Sequence, residues 1–141
     1  MGVPVPSPPR YWRERRVKYR LLGSVCKSCG RAYYPPRLVC PECGSTELAE
    51  VKLPERGRVL SFTVIRTPPR DFLGQEPYVV ALIELENGAR LLGQVVDVEP
   101  EEVEVGMEVE SVFRKCREQG EEGIIEYGVK WRPPLLPKSG A

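Results

Sequence analysis

The sequence has 141 residues, of which 41% are hydrophobic and 29% are charged, and these proportions predict a folded chain of one domain, or of one domain with a small module attached. It contains no histidine, which excludes catalysis by Ser-His-Asp or Cys-His groups and any metal site that uses imidazole. The net charge of +1 hides an asymmetry, because residues 1–50 are basic and residues 51–141 are acidic.

The hydropathy of the chain predicts a soluble, cytoplasmic protein. No apolar run approaches the ~20 residues that are needed to span a membrane. The N-terminal arginines are not followed by an apolar stretch, so no secretory signal is predicted. We therefore expect no membrane association.

The N-terminal region predicts an arm, a helix and a strand in that order. Residues 1–9 contain four prolines, which favour an extended arm. Residues 10–17 have no interior Pro or Gly and predict a short helix, in which Tyr11 or Trp12 can pair with Arg15 or Arg16 at helical spacing. Residues 18–25 then change to strand character and lead to the first cysteine.

Two Cys-x-x-Cys-Gly motifs, separated by ten residues, contain Cys26, Cys29, Cys40 and Cys43. Each motif places two thiolates side by side, and two motifs on facing loops supply the four corners of a tetrahedral zinc site. Because thiolates fill all four corners, the site is predicted to be closed and structural. A pair of disulfides is one alternative, which a chain without a secretory signal disfavours. Iron in a rubredoxin-like electron carrier is the other.

The remainder of the chain predicts a β-barrel. Five strands are predicted, over residues 59–66, 78–86, 90–96, 107–115 and 124–131, with one helical turn between the third and the fourth. This pattern predicts an OB-fold, and a small sandwich is the competing fold. The fold is therefore expected to be mostly β, with a short N-terminal helix and a rubredoxin-like zinc ribbon over residues 1–54, a five-stranded OB-fold barrel over 55–132 and a proline-rich tail over 133–141. The fifth cysteine, Cys116, is assigned no role.

The predicted second and third strands do not favour a nucleic-acid partner. OB-folds bind oligonucleotides there with aromatic and basic side chains, but these two strands contain one aromatic residue, Tyr78, and one arginine, Arg90. Nucleic-acid binding is therefore kept only as the alternative function. The second strand is apolar on both faces, so its outer face needs a cover, either the ribbon or another protein. Phe72 and Leu73 lie in a loop that would usually be polar, and they either contact a partner or fold back onto the barrel.

A series of motifs extends over residues 9–132: Pro9-Arg10-Tyr11-Trp12-Arg13, Tyr19-Arg20-Leu21, Gly23, the two cysteine motifs, Tyr34-Pro35-Pro36-Arg37, Gly57, Ser61-Phe62-Thr63-Val64, Pro77-Tyr78 and Gly106-Met107-x-Val109-Glu110. With these motifs the chain resembles the archaeal zinc-ribbon and OB-fold family catalogued as domain of unknown function thirty-five. The double cysteine motif alone is generic. The proline motif between the knuckles and the late Gly-Met-x-Val-Glu motif make the resemblance specific.

The resemblance implies a non-catalytic scaffold subunit. Archaeal members of the family associate with an acetoacetyl-CoA thiolase and a hydroxymethylglutaryl-CoA synthase of the mevalonate pathway, and they help to form a shared CoA-binding site through which the intermediate passes. Bacterial relatives pair with hydratases or aldolases that act on steroid-derived CoA thioesters. By this resemblance we expect such enzymes as partners, one structural zinc ion, and coenzyme A or an acyl-CoA as a shared ligand. No catalytic residue is expected.

The same resemblance suggests which residues meet the partner and the ligand. Trp12 is expected to anchor a partner, because buried aromatic residues dominate interface energies, and Phe72 and Leu73 are further candidates. Coenzyme A carries three phosphates and a flat adenine, which cations and an indole can hold. The expected CoA contacts are Arg37 first, and then Arg31, Lys130, Trp131 and Arg132. A solvated basic face is the alternative interpretation of the arginines in residues 10–37.

Overall fold

The structure is a computed structural model, and residues 8–118 and 125–135 are described here. The extended arm predicted for residues 1–9 lies mostly outside the described residues. The turn predicted at residues 120–123 and most of the proline-rich tail lie outside them as well.

Two short helices replace the single helix that was predicted over residues 10–17. Helix α1 spans Pro8–Arg13 and helix α2 spans Arg15–Arg20. Glu14 separates them with φ −94° and ψ 6°, which departs from helical geometry. Leu21 ends α2 in the left-handed region, with φ 50° and ψ 55°, and this turn directs the chain into the first strand.

The ribbon contains a three-stranded antiparallel sheet. Its strands are β1, Leu22–Cys26, β2, Ala32–Tyr33, and β3, Leu48–Lys52, in the order β2-β1-β3. The central strand β1 ends at the first cysteine, where Cys26 pairs with Leu48 of β3. The sheet therefore fixes one side of the cysteine cluster on regular secondary structure.

The barrel consists of five strands: β4, Arg56–Ile65, β5, Tyr78–Leu85, β6, Arg90–Val95, β7, Glu108–Glu118, and β8, Ile125–Arg132. They close in the order β4-β5-β6-β8-β7. All neighbours are antiparallel except β6 and β8, which are joined by the single pair Val95 and Trp131. A 3-10 turn over Pro100–Glu102 lies between the third and the fourth strand of the barrel. This confirms the mostly β fold with a five-stranded OB-type barrel, and the sandwich alternative was wrong.

The ribbon and the barrel share one hydrophobic core. Alternate residues of β5 point inward, and Ile83 at their centre is fully buried. Trp131 is the largest fully buried side chain. Leu21 and Leu53 extend the same cluster from the ribbon side, and each buried leucine contributes about 1.5–3 kcal/mol. The shared core ties the position of the ribbon to that of the barrel.

The outer face of β5 and β6 is partly uncovered. Leu82 of β5 pairs with Leu92 of β6, and 73% of the surface of Leu92 is exposed. Leu92 is therefore largely uncovered within the described part of the chain, whereas Leu82 is half-buried. No helix in the described part of the chain has the length and apolar character to cross a membrane.

Candidate metal centre and ligand-binding surfaces

Each cysteine motif forms a tight loop that a glycine closes. The backbone N–H of Gly30 donates to the carbonyl of Cys26 at 2.8 Å, and that of Gly44 donates to the carbonyl of Cys40 at 2.9 Å. Both glycines have left-handed backbones, with φ 77° and 73°. Glycine adopts this conformation without the steric cost of a Cβ atom, so the motif determines the loop geometry.

The two loops bring four sulfur atoms together. The Sγ atoms of Cys26 and Cys43 are 3.5 Å apart, and those of Cys29 and Cys40 are 3.6 Å apart. All four lie within 4.8 Å of one another. A tetrahedron with metal–sulfur distances of about 2.3 Å has edges of about 3.8 Å, so the sulfurs fit a single ion. The four cysteines are positioned to bind a metal.

Tyr33 adds a hydrogen bond to this centre that sequence reasoning missed. Its hydroxyl lies 3.2 Å from Cys40 Sγ, within hydrogen-bond distance, and it is the donor when the sulfur is a thiolate. This hydrogen bond is the largest of several causes that lower the pKa of Cys40 to about 6, which favours the deprotonated, metal-binding form. A tyrosine in a short strand is an ordinary β residue, so its spacing gave no signal of this role.

Arg31 and Arg37, two of the predicted CoA contacts, line one cavity of about 460 Å³ beside the metal centre. Arg90, the first residue of β6, lines the same cavity. Arg31 pairs with Glu42 at 3.2 Å. The guanidinium of Arg37 lies 5.9 Å from the centre of the Tyr33 ring and makes no ion pair within the described part of the chain. Arg37 is therefore the cation most available to an anion here.

The other three predicted CoA contacts lie on β8 and do not line that cavity. Trp131 is only 1% exposed, so it presents no ring face to a ligand, and we leave it out of the candidate set. Lys130 is also buried. Arg132 Nε lies 3.1 Å from Glu110 Oε1, and the arginine is 3.9 Å from Asp97. The structure therefore divides the five residues into two groups.

The predicted partner contacts differ in their exposure. Trp12 is 67% exposed, and the guanidinium of Arg15 lies 4.1 Å from its ring centre. The expected pair therefore forms, although Glu14 interrupts the helix between the two residues. Leu73 is also exposed. Phe72 instead stacks on Tyr78, with 5.2 Å between ring centres, so its ring folds back onto the barrel.

An aromatic cluster at the junction of ribbon and barrel was not predicted. Phe113 of β7 stacks on Tyr127 of β8 with ring centres 5.5 Å apart, and Tyr19 of α2 meets Phe113 edge to face at 5.6 Å. These residues are far apart along the sequence, and only the closing of β7 against β8 and the docking of α2 bring them together. No local pattern could have shown the cluster.

Cys116 does not join the metal centre. Its sulfur lies against β8, where a Cβ atom on Gly128 would be 2.8 Å away. The residue is half-buried. This packing gives a structural reason for a small side chain at this position.

A cysteine-rich ribbon joined to a five-stranded barrel defines the class of protein, and two family models match it. Residues 13–49 match the model described as ChsH2, rubredoxin-like zinc ribbon domain. Residues 50–114 match the model described as ChsH2, C-terminal OB-fold domain. The two matches meet within β3, the last strand of the ribbon.

Relatives extend the likeness to nearly the whole chain. A DUF35 domain-containing scaffold protein of Methanocaldococcus jannaschii is 49% identical over 125 residues, which cover 88% of this chain and 89% of that protein. The benzoylsuccinyl-CoA thiolase subunit BbsA of Thauera aromatica is 33% identical over 79 residues, 53% of this chain and 51% of that one. A solved structure titled Ltp2-ChsH2(DUF35) aldolase has a TM-score of 0.67 and 28% identity, covering 94% of this chain and 98% of its own. The chain belongs to the family of DUF35 domain-containing scaffold proteins.

Proposed function

We propose that this protein is a non-catalytic scaffold subunit of a cytoplasmic acyl-CoA-processing complex, in which an acetoacetyl-CoA thiolase and a hydroxymethylglutaryl-CoA synthase-like enzyme are its partners. The observation that carries the proposal is the 49% identity to an archaeal scaffold protein over 88% of the chain. The names of the thiolase subunit and of the aldolase assembly support an association with acyl-CoA enzymes.

Zinc is the metal proposed for the four-cysteine centre, because the matching family model is a zinc ribbon. Four thiolates leave no open coordination position, so the ion stabilises the ribbon and takes no part in a reaction. Its loops then hold a fixed shape, which a docking surface requires.

The proposed docking surface consists of the exposed apolar side chains Trp12, Leu38 and Val39 on the helical and ribbon end of the chain. Leu38 is 89% exposed and Val39 is 52% exposed, and both directly precede Cys40. Exposed apolar side chains next to rigid backbone are typical of interface anchors. Leu73 on the barrel loop is a secondary candidate.

Coenzyme A is proposed to meet the protein at the cavity beside the metal centre. Arg37 is the first candidate for a phosphate contact because its guanidinium has no carboxylate partner in the described structure. Arg31 would exchange Glu42 for the phosphate. Lys130 and Arg132 are weaker candidates, since the first is buried and the second is held by two carboxylates.

Affinity purification of the tagged chain from its native cell tests the scaffold role. We expect a thiolase-type enzyme to co-purify with the unmodified chain and to be reduced at least several-fold with Leu38→Ser. The matched control is Val105→Ser, which changes another exposed apolar side chain, in the turn before β7. Recovery of no acyl-CoA enzyme would overturn the function, and a loss with Val105→Ser alone would overturn the docking surface.

A further inference from the structure

Strand β4 has a neighbour on both sides only along its first part. Residues 56–58 pair with residues 108–110 of β7. Val59 then donates to the carbonyl of Met107 at 3.0 Å and accepts from the N–H of Gly106 at 2.7 Å. On its other side, β4 pairs with β5 as far as Ile65. Among the described residues, no second strand lies beside residues 61–65, which we call the β4 edge.

The register between β4 and β5 shows which backbone groups point out of the β4 edge. The N–H of Glu86 donates to the carbonyl of Arg56 at 3.3 Å, so the even-numbered residues of β5 direct their backbone groups toward β4. Thr63 lies opposite an even-numbered residue of β5 and therefore bonds to it. Phe62 and Val64, on either side of Thr63, direct their N–H and C=O groups away from β5. The β4 edge thus presents two donors and two acceptors for another strand.

The β4 edge lacks the residues that usually protect an edge strand. Proteins place charged side chains or proline at such positions, because an open strand edge pairs readily with another chain. Residues 61–65 are Ser-Phe-Thr-Val-Ile, without charge, proline or glycine, and four of the five favour β-structure. Ser61, Phe62 and Thr63 are exposed in succession, so both faces of the strand are open there. The β4 edge is therefore suited to accept a further strand.

We propose that two copies of this chain pair through their β4 edges, in antiparallel orientation, with Thr63 opposite Thr63 of the second copy. In this register Phe62 lies opposite Val64 of the second copy, and each donates its N–H to the carbonyl of the other. Aromatic residues opposite β-branched residues, and Thr opposite Thr, are favourable cross-strand pairs. The pairing uses the same surface of both copies, so it closes as a dimer.

The sequence of the β4 edge favours a second copy because it is complementary to itself in this one register. A two-fold axis at Phe62 would place Val64 opposite Leu60, where the register between β4 and β5 shifts. An axis at Val64 would place Phe62 opposite Arg66, which lies beyond the end of β4. An axis at Thr63 keeps both pairs within the regular strand and brings no like charges together, since Arg66 then lies opposite the uncharged Leu60.

This dimer is additional to the proposed scaffold function. The four cysteines and the proposed docking residues Trp12, Leu38 and Val39 all lie outside β4. Co-purification of an enzyme and pairing of two copies are separate measurements, so either proposal can fail while the other stands.

The first test is sedimentation equilibrium of the zinc-loaded full chain over a range of concentrations. One copy has a mass of 15.9 kDa. We expect the measured mass to rise toward that of two copies as the concentration approaches about 1 mM. The mass of a single copy at every concentration would overturn the proposal. Growth beyond two copies would overturn it as well, because a symmetric edge pair leaves no further edge of this kind.

Charge substitutions at Thr63 locate the two-fold axis. Thr63→Lys and Thr63→Glu each place like charges opposite one another, so the dissociation constant of either variant alone is expected to rise about tenfold or more. An equimolar mixture places Lys opposite Glu and is expected to restore the dimer. Leu92→Lys is the matched control, because Leu92 is exposed on β6 and β5 separates it from β4. Its dissociation constant should equal that of the parent chain.

Two outcomes of this series would overturn the proposal. One is a dimer that Leu92→Lys dissociates and Thr63→Lys does not, which would place the contact on the face of β5 and β6. The other is a mixture of the Lys and Glu variants that stays as weakly associated as either variant alone. Circular dichroism of each variant excludes a general loss of fold as the cause of dissociation.

Amide hydrogen exchange of the unmodified chain tests the same contact without a substitution. The N–H groups of Phe62 and Val64 are expected to exchange more slowly as the concentration is raised, because they become hydrogen-bonded in the dimer. The N–H of Thr63, which bonds to β5, is the internal control and should be protected throughout. Protection of Phe62 and Val64 only after an enzyme partner is added would assign the β4 edge to that partner and overturn the dimer.

Discussion

A Cβ atom placed on Gly93 would lie 2.6 Å from the indole Nε1 of Trp131, and closer still to its Cδ1. Real Cβ contacts are essentially never this short, so the glycine of β6 provides the space that the indole of β8 occupies. The backbone of Gly93 does not have a positive φ. The need for glycine here is therefore one of space and not of conformation.

Gly93→Ala is expected to destabilise the protein by about 1–3 kcal/mol, since overpacking forces the indole or a strand to move. Chemical denaturation with tryptophan fluorescence measures the change. Leu92→Ala, on the exposed side of the same strand, should remain within about 0.5 kcal/mol of the parent. A smaller cost of Gly93→Ala in a Trp131→Leu background would confirm the direct contact, and an additive result would contradict it.

Cys26→Ser is expected to remove most of the bound zinc, which elemental analysis measures against about one ion per chain. The midpoint of thermal unfolding should fall by more than about 5 °C, because Leu21 and Leu53 place the ribbon in the core of the barrel. Cys116→Ser is the control and should keep its full metal content. Equal metal content in the two variants would show that the four-sulfur centre is misassigned.

Tyr33→Phe removes the hydroxyl that lies 3.2 Å from Cys40 Sγ. Loss of such an outer hydrogen bond is expected to weaken zinc affinity by roughly 10-fold to 100-fold, measured by competition with a chromophoric chelator. Tyr34→Phe is the matched control, because its hydroxyl donates to the carbonyl of Val17 at 3.3 Å and not to sulfur. If both variants bind zinc equally well, the Tyr33 bond has no role in metal affinity.

Two arginine–glutamate pairs of the barrel have the same geometry and different burial. Arg132 Nε is 3.1 Å from Glu110, with 22% and 18% of the side chains exposed, and Arg90 Nε is 3.2 Å from Glu84, with 63% and 33% exposed. Arg132→Met should cost about 1–3 kcal/mol because it leaves a half-buried carboxylate with weaker partners. Arg90→Met should cost less than about 1 kcal/mol. Urea denaturation measures the free energy of unfolding of both variants. Equal losses of this free energy would contradict the account.

The metal centre and the barrel were accessible from the sequence because their signals are local. The cysteine spacing and its glycines specify two closed loops, whatever the rest of the chain does. The strands of the barrel were marked by two-residue alternation and by Asn87-Gly88 at one turn. In each case the physical cause acts over fewer than about ten residues, which is the range that a pattern can report.

The residues that contact a ligand could not be predicted from the sequence in the same way. Trp131 was interpreted as a ring for adenine, but it points into the barrel, and Gly93, thirty-eight positions earlier, makes its space. The stack of Phe113 and Tyr127 depends on how distant elements dock. Burial and ion pairing between such elements are properties of the assembled fold.

The contact between β6 and β8 closes the barrel with few backbone interactions. A single residue pair, Val95 with Trp131, and the hydrogen bond of 2.7 Å from Val96 N to the Trp131 carbonyl form this seam, whereas the other neighbouring strands share at least three pairs. Separating the seam withdraws the largest side chain of the core from its cavity. At this seam, burial of the Trp131 indole therefore contributes stabilisation that backbone hydrogen bonds provide between the other neighbouring strands of the barrel.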